Sequence, residues 1–104
     1  MSTASPTTRL QLDPTRLARL CTSHGVSRLW LFGSVLRPDF RPESDIDVLV
    51  EFEPGAHIGL LALARLRREL SELFARNVDL VPVRGLKPAI RDDVLGTREL
   101  LYAA

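Results

Sequence analysis

The run DIDVLVEF at residues 45–52 constrains the fold more than any other part of the chain. From Val48 onward its apolar side chains fall on both alternating positions, so a strand made from it has no wet face. Such a strand belongs in the middle of a sheet, with neighbours on either side and cover above and below.

The remaining sequence supplies those neighbours. VSRLWLFG (26–33) is short, apolar and aromatic, and reads as a strand ended by Gly33; VDLVPV (78–83) reads as another. Helical patterns alternate with these runs. Asp13-Pro14 looks like an N-cap followed by proline in the first turn, and Leu17, Leu20 and Cys21 recur at helical spacing until Gly25. Between 58 and 76, Leu60, Leu63, Leu66, Leu70, Leu73 and Phe74 form an apolar stripe with Arg and Glu between them, and Asn77 ends that helix. Pro54-Gly55 separates it from the acidic strand. Lys87-Pro88 opens a last helical stretch to about 95, and RELLYA (98–103) adds a turn or short helix. Residues 1–9, rich in Ser, Thr and Pro, read as a loose tail.

The alternation predicts an α/β (α+β) domain with a small mixed sheet of three or more strands flanked by helices. The link 34–44 is too short for a crossover helix, so the first two strands should be antiparallel neighbours. The helix over 58–76 permits a right-handed parallel crossover to the third. At 104 residues, 10–104 is one domain behind its tail, large enough to bury a little over roughly 60% of its unfolded surface.

Charge and cysteine use narrow the class. Fourteen basic residues against 13 acidic leave a net charge of +1, without the basic excess that a long nucleic acid calls for. The RLRR cluster at 65–68 falls on a helix and reads as a solvated face. A single cysteine, Cys21, excludes a disulfide framework, which points to a reducing cytoplasm. No run reaches the roughly 18 apolar residues of a membrane span, and MSTASPTT has no apolar core of the signal-peptide kind.

Chemistry concentrates in GSVLRPDFRPESDID (33–47). In a strand Asp45 and Asp47 share one face, while Ile46 and Val48 share the other. Two carboxylates so close repel unless a cation or a shared proton intervenes, and their oxygens suit magnesium. Asp79 in VDLV would join them if its strand lies alongside, giving three carboxylates, enough for two divalent ions in phosphoryl chemistry. At the other end, Gly33 lets the backbone approach a phosphate, and the N–H groups of a helical turn from Ser34 form an anion-binding corner. Arg37 could reach the same anion as a charged donor.

Gly33-Ser34, ten residues, then Asp45-Ile46-Asp47 resembles the signature of the nucleotidyltransferase superfamily with a polymerase-β-like palm. More closely, LFGSVLR, SDIDVLVEFEP and LARLRRELSELFARNVDLVPVRGLKP resemble the minimal nucleotidyltransferases (MNT), antitoxin partners of HEPN-domain ribonuclease toxins. The resemblance spans about residues 26–95. It implies transfer of a nucleoside monophosphate, usually AMP from ATP, to a hydroxyl, which can be a tyrosine of the toxin. By position it makes Asp45 and Asp47 ligands of catalytic Mg2+ ions, and Asp79 a third carboxylate that also activates the acceptor. Gly33 and Ser34 would hold the nucleotide's phosphates. The family commonly reads GS-x-A-R-G where this chain has GSVLRP, so Leu36 replaces a small residue and Pro38 a glycine. Proline fixes φ and removes a donor, which keeps open an antitoxin that works by binding alone, with weak or no catalysis.

Other readings are weighed on the same residues. DIDVL partly matches the D-x-D-x-[TV] of haloacid-dehalogenase-type phosphatases, but Leu49 breaks that pattern and the chain is short for the fold. A template-using polymerase needs a basic groove and further domains. With a palm alone, the acceptor must be held partly by another protein, so a hetero-oligomer with a toxin partner is expected. His57 follows the acidic strand closely enough to approach the site, or is simply solvated. Glu51 is either a supporting acid or a solvated strand end. Lys87 and Arg91 could meet a triphosphate or remain exposed helix-terminal charges. His24 suits a helix C-terminus, Cys21 the core, and Trp30 packing or an interface.

Overall fold

A computed structural model describes residues 12–38, 41 and 43–104. The tail expected at 1–9, and Asp39, Phe40 and Pro42 of the connecting loop, lie outside the described residues.

Helix α1 (Pro14–Ser23) starts as its sequence predicts: the Asp13 carboxylate accepts the N–H of Thr15 at 3.0 Å and of Arg16 at 3.4 Å. Leu17 and Cys21, one turn apart, carry its buried stripe, and Gly25 at φ +69° turns the chain into β1 (Val26–Phe32). A single 3₁₀ turn, Gly33–Leu36, follows. Then come β2 (Ile46–Phe52), α2 (Leu60–Phe74), β3 (Val78–Pro82), a short 3₁₀ turn at Val83–Gly85, α3 (Pro88–Thr97) and β4 (Glu99–Ala103). Helix α2 ends at Ala75 in the left-handed region (φ +55°), two residues before the expected Asn77.

The sheet order is β3-β2-β1-β4. β2 pairs antiparallel with β1 and parallel with β3, as the link lengths require, and so occupies the central place its apolar run demands. The fourth strand corrects one expectation. RELLYA forms no helical turn; Glu99–Ala103 lies antiparallel along the outer edge of β1, with a bulge opposite Leu29 and Trp30. Glu, Leu and Ala favour helix locally, but an open strand edge offers a row of unpaired backbone groups, and that long-range partner decides.

The two sheet faces differ. One is dry: Leu29 and Leu31 of β1, Ile46, Val48 and Val50 of β2, and Val78 and Leu80 of β3 pack under Leu17 and Cys21 of α1 and Leu66, Leu70 and Phe74 of α2. Most are wholly buried, and each fully buried Leu or Val contributes roughly 1.5–3 kcal/mol of transfer free energy. The Cys21 thiol is pushed up to about 12 by burial and acts there as a small apolar group. The rim of this layer is tied by His24, whose Nε2 meets the Glu69 carboxylate of α2. The opposite face has a smaller cluster of Trp30, Phe32, Leu49, Leu86 and Val94, so α3 covers only part of it.

Candidate active site

Strand register assembles the site on that second face. Asp47 stands opposite Phe32 of β1 on one side and directly beside Asp79 of β3 on the other. One step along, Trp30, Leu49 and Val81 form the next row, and Arg28 with Glu51 the one after. Parallel pairing of β2 and β3 thus brings together two aspartates separated by a whole helix in the chain. Asp45 lies just ahead of β2 rather than within it and is exposed, as is Asp79, while Asp47 is partly buried.

The Asp47 carboxyl is held above its ordinary value, chiefly by burial, then by the charge of Asp79 and, to a smaller extent, of Asp45. The Ser34 N–H donates to the same carboxylate and pulls the other way. The Gly-Ser corner and the aspartate therefore touch directly. Gly33, at φ +74°, passes so close that a Cβ there would come within 2.4 Å of Asp47 Oδ2. Only glycine satisfies both the left-handed backbone and that approach.

Beyond the corner, the Arg37 N–H closes the turn onto the Ser34 carbonyl at 3.0 Å, and Arg37 itself is extended (φ −87°, ψ 147°). That conformation is the one a following proline imposes, so Pro38 stops the helical turn after Leu36. Arg37 is exposed beside the site.

Among the described residues no group of three or more His, Cys, Asp or Glu stands ready-made at ion-holding spacing. The donor set nevertheless fits magnesium, which takes one or two carboxylates and fills its shell with water and phosphate oxygens. The like charges that raise Asp47 are what a divalent cation would neutralise.

Glu51 and His57 go elsewhere. Glu51 accepts from Arg28 Nη1 at 3.2 Å across the β1–β2 pair, at the far end of β2. His57 lines a separate cleft of about 830 Å³ at that same end, with Glu51, Phe52, Val83 and Arg84. Neither is brought to the aspartates. Lys87 and Arg91 are exposed at the start of α3. Trp30 packs in the smaller cluster with the Arg98 guanidinium 4.7 Å over its ring. One residue the sequence reading passes over reaches the site's edge: Arg76, between α2 and β3, donates to carbonyls of the loop before Asp45.

A model described as "Nucleotidyltransferase domain" matches residues 16–101, nearly the whole chain. The chain belongs to the nucleotidyltransferase domain family. It is 38% identical over 78 residues to the protein adenylyltransferase MntA of Thermococcus cleftensis, covering 75% of each chain. It is also similar to a solved structure provisionally described as a minimal nucleotidyltransferase, at 39% identity and TM-score 0.68, covering 98% of this chain and 99% of that one. The fold is shared, at 22% identity and TM-score 0.63, with a chain in the complex of a tri-AMPylated Shewanella oneidensis HEPN toxin and its MNT antitoxin, covering 91% and 73%. The nucleotidyltransferase assignment is thus carried by both sequence and fold.

Proposed function

We propose that this nucleotidyltransferase moves AMP, or another nucleoside monophosphate, from an NTP to a hydroxyl on a partner protein, a tyrosine of a HEPN-type toxin, and so serves as its antitoxin. The observation that carries the reading is the pairing of Asp47 with Asp79 on an open sheet face, with Asp45 just ahead of the strand and the Gly33-Ser34 corner against Asp47. The relatives' names support the substrate and partner classes: an adenylyltransferase in one, an AMPylated HEPN toxin with its antitoxin in another.

In this reading residues 10–104 work as one catalytic unit in the cytoplasm, where ATP is at hand. The acceptor oxygen forms a bond to the α-phosphorus, the bond from that phosphorus to the bridging oxygen breaks, and pyrophosphate leaves. Magnesium held by Asp45, Asp47 and Asp79, two ions when complete, would neutralise charge developing on the phosphates. Ser34 would offer its N–H and hydroxyl to phosphate oxygens, and Gly33 leaves room for them. Arg37 adds a charged donor from the rim. Asp79, exposed at the edge strand β3, takes the proton of the incoming hydroxyl. The exposure of Asp79 suits an acceptor delivered by a second protein.

Incubation with α-labelled ATP, magnesium and the cognate toxin tests this. Label should appear on the toxin and be lost with Asp47→Asn; equal labelling by that variant refutes it. A second reading, neutralisation by binding alone, draws on Pro38, which removes one N–H donor from the phosphate corner. In that case the double variant Asp45→Ala, Asp47→Ala still protects cells from the toxin at unchanged expression.

A further inference from the structure

Asp45 is the one site carboxylate that no strand holds. It ends a link in which ten residues, Pro38 and Pro42 among them, separate it from the Gly-Ser corner. As the residue before β2, Asp45 lies outside the ladder, yet a metal ligand must be placed to within a fraction of an ångström.

The peptide groups on both sides of Asp45 are nevertheless tied down, and to one place. Arg76 Nη2 donates to the carbonyl of Ser44, just before Asp45, at 2.7 Å, and to that of Arg41 at 2.6 Å. The Ser44 N–H closes a turn onto the same Arg41 carbonyl at 3.1 Å. Just after Asp45, the Ile46 N–H donates to the carbonyl of Asn77 at 2.9 Å. Arg76 and Asn77 are consecutive, and Asp79 follows two residues later.

The corner that carries Arg76 is itself fixed. Its N–H donates to the Ser71 carbonyl at 3.1 Å after Ala75 has adopted a left-handed conformation without being glycine. A non-glycine residue there costs roughly 1–2 kcal/mol. In the same corner, the Val78 N–H donates to Ser71 Oγ at 3.1 Å. The Arg76 guanidinium therefore ties the corner between α2 and β3 to the acidic loop.

From this we infer that Arg76 is a positioning residue: it sets Asp45 in register with Asp79 by clamping the loop carbonyls that precede it. It touches neither substrate nor metal. A guanidinium suits the task because its charge strengthens each bond to a carbonyl, and the two N–H groups of Nη2, held in one plane, are directed at the two oxygens together. The inference rests on the reading of Asp45 and Asp79 as metal ligands, but its test does not pass through nucleotide transfer.

Two variants, Arg76→Gln and Arg76→Lys, separate the outcomes. Hydrogen exchange should rise about tenfold at the amides of 43–46 in Arg76→Gln and less in Arg76→Lys, while β1 and the centre of α2 keep wild-type protection. Binding of Mn2+ alone, followed by the free-ion signal in electron paramagnetic resonance, should weaken about tenfold in Arg76→Gln, with partial recovery in Arg76→Lys. Unchanged exchange at 43–46, unchanged Mn2+ affinity, or protection lost across the whole molecule in both variants would each overturn the inference. If the wild type binds Mn2+ and the variants bind it less, the positioning role stands even where no AMP transfer is detected. Failure of the wild type to bind Mn2+ overturns the metal reading and this inference together.

Discussion

The two faces of β2 share a backbone and little else. On one, Ile46, Val48 and Val50 are sealed against α1 and α2 with no polar atom among them. On the other, Asp47, Leu49 and Glu51 run from a crowded carboxylate, through a buried leucine, to a solvated ion pair with Arg28. Burial is nearly complete on the first face and partial on the second, because two helices cover one and only α3 and its approach cover part of the other. A strand with one closed and one open face can spend stability at the open one, and the closed one supplies it. The raised Asp47 carboxyl is the local record of that cost.

Four changes would sharpen or break this contrast. The largest effect belongs to Asp47→Asn, which should cut transfer by about a hundred- to a thousandfold, the scale of losing one electrostatic group of a transition state. The same variant, without metal, should melt higher at neutral pH by a few degrees, on the order of 2–5 °C. An Asp47→Asn protein that melts lower would show that the open face is not strained. Next, Leu70→Ala on the dry side should cost about 2–5 kcal/mol, read by denaturant unfolding, and lower activity only through the folded fraction. Gly33→Ala links the faces: its Cβ collides with Asp47 Oδ2 and its φ of +74° disfavours any side chain. It should lose on the order of 1–2 kcal/mol of stability for the left-handed residue, with most of the activity. Smallest is Glu51→Gln at the exposed Arg28 pair, expected to change unfolding by less than about 1 kcal/mol and transfer not at all. A large activity loss there would extend the site along the whole open face.

Acidification probes the same contrast in the metal-free protein. Asp47 is raised in the folded state, so its stabilising contribution is fully present below the unfolded carboxylate value and is lost as pH rises through the folded one. Within that window, thermal melts should climb as pH falls. Asp47→Asn should flatten the slope, whereas a wild type with no such slope would contradict the crowding.

Much of the site was legible because its parts are local. Period-two alternation placed Ile46 and Val48 opposite Asp47, and a Gly-Ser pair after an apolar run marked the tight corner. The lengths of the two links correctly implied antiparallel and parallel neighbours for β2. Residues whose roles depend on distant partners were less legible. His57 follows the acidic strand by five residues, yet the strand's rise carries it to the opposite end of the sheet. Arg76 looked like one more charge at the end of an amphipathic helix; nothing local says that its Nη2 meets the carbonyls of Arg41 and Ser44.

The sequence by itself determined that this chain makes a small mixed sheet with Asp45-Ile46-Asp47 at the mouth of its central strand, because hydrophobic period and turn residues act over a few positions. Only the tertiary structure decided that Glu99–Ala103 becomes an edge strand, that Asp79 stands beside Asp47, and that Asp45 is held from the corner leading into β3. Each of these depends on backbone groups far apart in the chain finding one another, and no local propensity encodes that pairing.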